Sequence, residues 1–231
     1  MFDNYSMLII VGLLVVILGS LLTIVKKSFS KNTLMYLYEK NDPQSYISNL
    51  NSFKAKFLVS NKQRLMLLID GYIATKEYDK VYDIFKELRK SKLSFGKKIT
   101  LYQKEITIYI QRRKFKEAIS SYNDLEQEAS LLQNNTEINR LLKDAEIMVN
   151  VYASKNLEYV DTLNSIITNS NDNTNRGLCN YRIAYLYYFK NDTKNCNKHL
   201  QSALIDLKGS FLEDIIKKVI KNNDLLESYN F

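Results

Sequence analysis

Tryptophan is absent from the 231 residues, and proline, histidine and cysteine nearly so, with one Pro, one His and two Cys. A structural zinc site takes about four Cys or His ligands, and His199, Cys179 and Cys196 fall short of that set. Two cysteines allow at most one disulfide, so no disulfide framework holds the fold. Six glycines and a lone proline cannot supply the many tight turns of a β-sandwich or barrel. Neither GxxxxGK(S/T) nor GxGxxG occurs, which excludes the common glycine-rich phosphate cradles. What is present in quantity is Leu, Ile, Lys, Glu, Tyr and Asn, a helix-forming set apart from Asn.

Tyr5 to Val25 is a run of 21 residues without a formal charge. A helix of roughly 20 residues crosses the ~30 Å hydrocarbon core of a bilayer. A cleaved signal peptide would need a positive start, and the first six residues carry only Asp3. The expected reading is an uncleaved anchor with its basic flank, residues 1–31, followed by a domain over residues 32–231. Lys26, Lys27 and Lys31 follow the run and no Lys or Arg precedes it. Positive flanks stay inside, so the expected topology is single-pass with the C-terminal domain cytoplasmic. Gly12 and Gly19 share a face, but no GxxxG pairing motif is present.

Beyond residue 31 apolar residues recur at three and four, as in Leu65, Leu68, Ile69, Tyr72 and Ile73, then Val81, Tyr82, Phe85 and Leu88. That period predicts amphipathic helices throughout, hence an all-α fold. Short polar breaks separate them at Lys40–Pro43, Val59–Asn61, Ser91–Ser94, Gln133–Asn135, Asn169–Gly177 and Gly209. Asp42 before Pro43 reads as a helix start. Ser60 with Gln63, and Ser210 with Glu213, have capping-box spacing.

One pattern repeats. Tyr72, Tyr78, Val81, Phe85 and Leu88 are echoed 37 residues later by Tyr109, Phe115, Ala118, Tyr122 and Leu125. A third copy is Tyr187, Thr193, Cys196, Leu200 and Ala203. The arrangement resembles the tetratricopeptide repeat (TPR) family: a Tyr near the end of a first helix A, an aromatic entering helix B, a small residue, then an aromatic and Ala-Leu, as in Ala203-Leu204 of the third copy. The resemblance implies a solenoid of stacked helix pairs over roughly residues 32–208. Degenerate copies complete it, with second helices expected to start near 43, 78, 115, 157 and 193, and a helix A from about Thr136 to Ala153. The helix around Leu212, Ile215, Ile216, Val219 and Ile220 is suited to cap the last repeat. The usual Trp, the Gly ending helix A and the closing Pro are missing. A non-repeating helical bundle is the competing arrangement.

Chemistry is sparse in this pattern. Cys196 and His199 are three apart on one helix, within reach of each other, but Cys196 falls on the small, buried position of its repeat. Asp124, Glu126 and Glu128 read as a solvated face. No catalytic residue, cofactor or metal site is expected, and the chain is not read as an enzyme.

Charge is more informative. Between Lys86 and Lys116 stand Lys86, Arg89, Lys90, Lys92, Lys97, Lys98, Lys104, Arg112, Arg113, Lys114 and Lys116, opposed only by Glu87 and Glu105. The net is +9 in 31 residues, against +8 for the whole chain. Such a band attracts anionic lipid, an acidic protein segment or nucleic-acid phosphates; the alternative is a solvated basic edge. Without interleaved aromatic stacking residues and beside a membrane anchor, nucleic acid is the least favoured partner. The resemblance also implies a groove lined by helix A residues. In the last copy these include Tyr181, Tyr185, Tyr188 and Phe189, which alternatively pack beneath the C-terminal helix or against the unit before them. Earlier copies place Gln63, Met66, Asp70, Ile73 and Ala74, and then Thr100, Gln103, Thr107, Ile110 and Gln111, on the same face. The expected function is a membrane-anchored adaptor that binds a protein partner; the alternative is a structural subunit of a secretion, division or envelope assembly.

Overall fold

The computed structural model describes residues 20, 23–131 and 135–229. Among the described residues every regular element is a helix, and successive helices pack in pairs. None of these helices is long and apolar enough to cross a membrane. The expected span lies outside the described residues apart from residue 20 and residues 23–25.

The chain divides into two compact units, the first ending at Ser94 and the second beginning at Phe95. The first holds α1 (23–38), α2 (Pro43–Asn51), α3 (Phe53–Leu58), α4 (Asn61–Ala74) and α5 (Tyr78–Lys90). The second holds α6 (Phe95–Gln111), α7 (Phe115–Ser130), α8 (Thr136–Met148) with a π-helical turn at Val149–Ala153, α9 (Tyr159–Asn169), α10 (Asn173–Phe189), α11 (Thr193–Asp206), α12 (Glu213–Lys221) and a terminal 3-10 helix, Asn223–Ser228.

The pairs are built alike at their turns. Among the described residues, five non-glycine residues have positive φ: Asn41, Lys76, Arg113, Lys155 and Asn191. Each lies in the turn between the first and second helix of a pair. In the three clear sequence copies the bonding is the same. The N–H of Lys76, Arg113 and Asn191 donates to the carbonyl three residues back. The next N–H, of Glu77, Lys114 and Asp192, donates to the carbonyls of Tyr72, Tyr109 and Tyr187 at 2.8, 2.8 and 3.0 Å. This is the Schellman closure, which satisfies carbonyls a helix end would leave open. In the flanking copies Asp42 donates to Tyr36 and Asn156 to Asn150, both at 2.8 Å, one residue further back.

The repeated apolar positions form the helix–helix contacts. Val81, Ala118 and Cys196, at the small position, are fully buried, as are Leu88, Leu125 and Ala203 seven residues on. Second helices begin at 43, 78, 115, 159 and 193, two residues later than expected in the fourth case. The helix that runs to Ala153 is present, its last turn wound as π. Thus a paired-helix organisation with one recurring turn is observed.

Three details depart from the sequence expectation. The degenerate first copy, read as one second helix through Pro43, Tyr46, Leu50 and Phe53, is broken in two. Ser52 takes an extended conformation, and its hydroxyl accepts from the Ala55 N–H at 3.2 Å, starting α3 separately. Gly177 is not part of a break. Asp172 caps α10 by accepting from the Thr174 N–H at 2.9 Å, and Gly177 lies inside that helix, beneath Leu207. Ser210 does not cap the last helix directly. It accepts from the Leu212 N–H within a turn, and the Glu213 carboxylate reaches back to the Gly209 N–H at 2.7 Å.

Candidate functional site

The aromatic face of α10 is covered. Tyr181 is fully buried and Tyr185 is 3% exposed, while Tyr188 and Phe189 are half-buried. The edge of the Tyr185 ring meets Tyr152 in the π turn, centroids 4.8 Å apart, and Tyr185 also contacts Phe189 at 4.8 Å. The chain's own C-terminal segment lies over the rest. Tyr181 donates its hydroxyl proton to the Tyr229 carbonyl at 2.9 Å, and Tyr188 donates to the Asp224 carboxylate at 2.9 Å. Asn223 donates to Asn197 of α11 at 3.1 Å. The bond to Asp224 and partial burial push the Tyr188 phenol up to about 12, so the tyrosine stays a donor at neutral pH. What remains beside Phe189 is a cavity of about 30 Å³ bounded by Arg113, Phe115, Lys155, Tyr185, Phe189 and Glu227, room for about one water. The Lys155 ammonium stands 3.5 Å from the Phe189 ring centroid, a cation–π contact that closes this corner. The four aromatics are therefore brought together, under the C-terminal segment and against the preceding pair.

The corresponding faces of α4 and α6 are more open. Gln63 and Ala74 are exposed, Asp70 and Ile73 half-buried, and Met66 buried. On α6, Thr100, Thr107 and Gln111 are exposed, Gln103 half-buried and Ile110 buried. The two threonine hydroxyls donate to carbonyls of their own helix, Gly96 at 2.9 Å and Gln103 at 3.0 Å. Each face carries an exposed side-chain amide, Gln63 on α4 and Gln111 on α6.

The basic residues are distributed over both units. Lys86, Arg89 and Lys90 are exposed on α5 in the first, and Lys86 faces Asp83 at 3.3 Å. Lys97, Lys98, Arg112, Arg113, Lys114 and Lys116 belong to the second. Lys98 is paired with Glu128 of α7. Arg113 is turned to the C-terminal segment. Its guanidinium contacts the Glu227 carboxylate at 3.0 Å and donates to the Glu227 carbonyl at 3.1 Å, tying the C-terminal segment to the α6–α7 turn. Glu105, counted among the opposing acids, is buried and accepts from the Ser121 hydroxyl at 2.8 Å. Two of the cations thus have structural work within the unit, and one of the two acids is not on the surface.

Cys196 and His199 are directed to different tasks. Burial pushes the Cys196 thiol up to about 11, the opposite of thiolate activation. His199 lies over the Tyr187 ring and bonds Asn180 through Nδ1 at 2.9 Å. Asn180 donates to Asp206 at 3.3 Å, and Asp206 pairs with Arg176 at 3.4 Å. The line of contacts joins α10 to α11. Among the described residues no group of three or more His, Cys, Asp or Glu side chains is placed to hold a metal ion. Comparison with known families, curated proteins and solved structures finds no match.

Proposed function

We propose that the chain is a membrane-anchored, TPR-like adaptor that holds a protein partner on the cytoplasmic side of the membrane. The observation that carries this reading is the recurrence of one Schellman turn at residues 76, 113 and 191, with a left-handed turn one residue wider at 41 and 155, each joining two packed helices. Stacked helix pairs present the faces of their first helices as extended binding surfaces. The partner is read as docking on the exposed face of α6, since the α10 face of the same unit is occupied by the chain's own C-terminal segment. Anchoring at the bilayer raises the effective concentration of any partner held at the same membrane.

The test is photocrosslinking from single positions of the full-length protein in its native membrane. Probes at Thr107 and Gln111, both exposed on α6, should capture one discrete partner. A probe at Glu126, exposed on the second helix α7, should not. Equal capture from both helices, or none from Thr107 and Gln111, contradicts the adaptor reading. A second reading, a structural subunit of a membrane-associated assembly, draws on the exposed apolar side chains Leu131, Ile205 and Phe211, which are 72%, 76% and 86% accessible. It predicts that the chain expressed alone aggregates or is degraded, whereas the adaptor is monomeric once extracted in detergent.

A further inference from the structure

Helix α3 turns two aromatic rings away from the protein. Phe53 and Phe57 are 85% and 74% exposed, while Ala55 and Leu58 on its other side are buried against Phe29 of α1. Four residues apart, the two rings share one face. Lys54 and Lys56 stand between them, both exposed. An amphipathic segment of this kind, apolar on one side with lysines at its margins, is suited to lie in a bilayer interface.

The position of α3 along α1 agrees. Its contact residue Phe29 lies four residues beyond Val25, the last of the uncharged run. At a rise of ~1.5 Å per residue this is about 6 Å, and the headgroup layer on each side of the hydrocarbon core is roughly 5–8 Å deep. Seated on Phe29, α3 is at headgroup depth. Charge agrees as well. No Asp or Glu occurs from Asn4 to Tyr38 or from Pro43 to Ile69, while Lys26, Lys27, Lys31, Lys54 and Lys56 do. An open cleft of about 440 Å³ beside α3 is lined by Ile24, Val25, Ser28, Phe29, Asn32 and Tyr36 of α1, with Asn49 and Lys54 across from them.

We infer that α3 is a membrane-interface helix: Phe53 and Phe57 enter the acyl boundary of the same bilayer that holds the anchor, and Lys54 and Lys56 meet its anionic headgroups. The inference rests on the reading of Tyr5–Val25 as a membrane span. It fixes the first unit against the bilayer at a second point, so that the domain does not swivel freely about its anchor.

The absence of native tryptophan makes single reporters clean. Full-length variants Ile10→Trp, Phe53→Trp, Phe57→Trp and Phe211→Trp are reconstituted into vesicles of zwitterionic and anionic phospholipid, some brominated at mid-chain and some near the headgroup. Trp in place of an exposed Phe disturbs no packing, and two α3 positions guard against an unrepresentative one. The expected result is that the reporters at 53 and 57 emit at blue-shifted wavelength and lose most of their intensity to headgroup-proximal bromine. The reporter at 10 is quenched by mid-chain bromine, and the one at 211 reads the second unit independently. Lys54→Glu with Lys56→Glu should reduce quenching at 57. If 53 and 57 emit as water-exposed residues while 10 is quenched, the anchor stands and the docking of α3 is overturned. Blue-shifted emission at 53 and 57 without lipid quenching means that protein covers α3, and also overturns it. Failure to quench the reporter at 10 removes the span and the inference with it.

Discussion

A methyl group placed on Gly177 would come within 2.4 Å of Leu207 Cγ and 2.9 Å of its Cδ2. Leu207 is itself buried and branched at the contacting atom, so it cannot swing clear. Gly177→Ala is expected to cost about 1–3 kcal/mol by overpacking. Gly96, in the first turn of α6, has nothing within 4 Å of the same methyl position. There Ala restricts the unfolded chain without a clash, and a gain of up to about 1 kcal/mol is expected. Denaturant midpoints of the two variants should move in opposite directions. At His199, burial and then the neighbouring Lys198 hold the imidazole below its ordinary 6.5. The unfolded chain therefore takes up this proton at a higher pH than the folded one. Stability from this site is complete above about pH 6.5 and falls as the pH drops through it. Unfolding midpoints measured from neutral pH downward should show that decline in the parent and less of it in His199→Gln. A parent and variant with parallel profiles would mean that burial and Lys198 do not disfavour the protonated ring in the folded protein.

Elements differ in how plainly they are written in the sequence. The TPR-like repeat pattern implied second helices starting near 43, 78, 115, 157 and 193, and four of the five starts are observed at those residues. The turns were not legible, because the residue that marks a left-handed helix end is usually Gly and here is Lys, Arg or Asn. An L-residue pays about 1–2 kcal/mol in that conformation, a cost repaid by the pair of Schellman bonds. At position 76, replacement by Gly relieves that strain and is opposed by about 0.5–1 kcal/mol of backbone entropy. Lys76→Gly is thus expected to be neutral or stabilising, while Lys76→Val, β-branched at positive φ, is expected to lose about 1 kcal/mol or more. Equal midpoints for Gly and Val would show that the turn is not left-handed in solution. The split between α2 and α3 was hidden because apolar spacing continues across Ser52, and only the extended backbone of that residue reveals its role as a cap. The C-terminal segment was hidden for another reason: Asp224, Glu227 and Tyr229 find partners 36, 114 and 48 residues away, and no local period encodes such contacts. Arg113→Ala removes one of them. The pair with Glu227 is half exposed, so the expected stability loss is below about 1 kcal/mol, but amide exchange over residues 224–229 should accelerate. Unchanged exchange there would mean that the tail is held by the tyrosines alone.

At the scale of the molecule, charge and attachment decide what the helix pairs can meet. The +9 band of the sequence is divided between two units, and Lys98 and Arg113 are engaged with Glu128 and Glu227. This weakens the case for one continuous basic edge. In the proposed anchoring, the basic, acid-free stretch around α1 and α3 adjoins the membrane surface instead. The proposed function then depends on which side of the membrane the helix pairs occupy, and the protein offers a direct way to ask. Cys179 and Cys196 are fully buried, so an introduced surface cysteine is the reactive one. Lys116 is exposed on α7. Lys116→Cys in the full-length protein, treated with a membrane-impermeant maleimide, should remain unlabelled in intact cells and become labelled once the membrane is opened, with Asn4→Cys showing the reverse accessibility. Labelling of Lys116→Cys in intact cells would place the helix pairs outside and contradict a cytoplasmic adaptor.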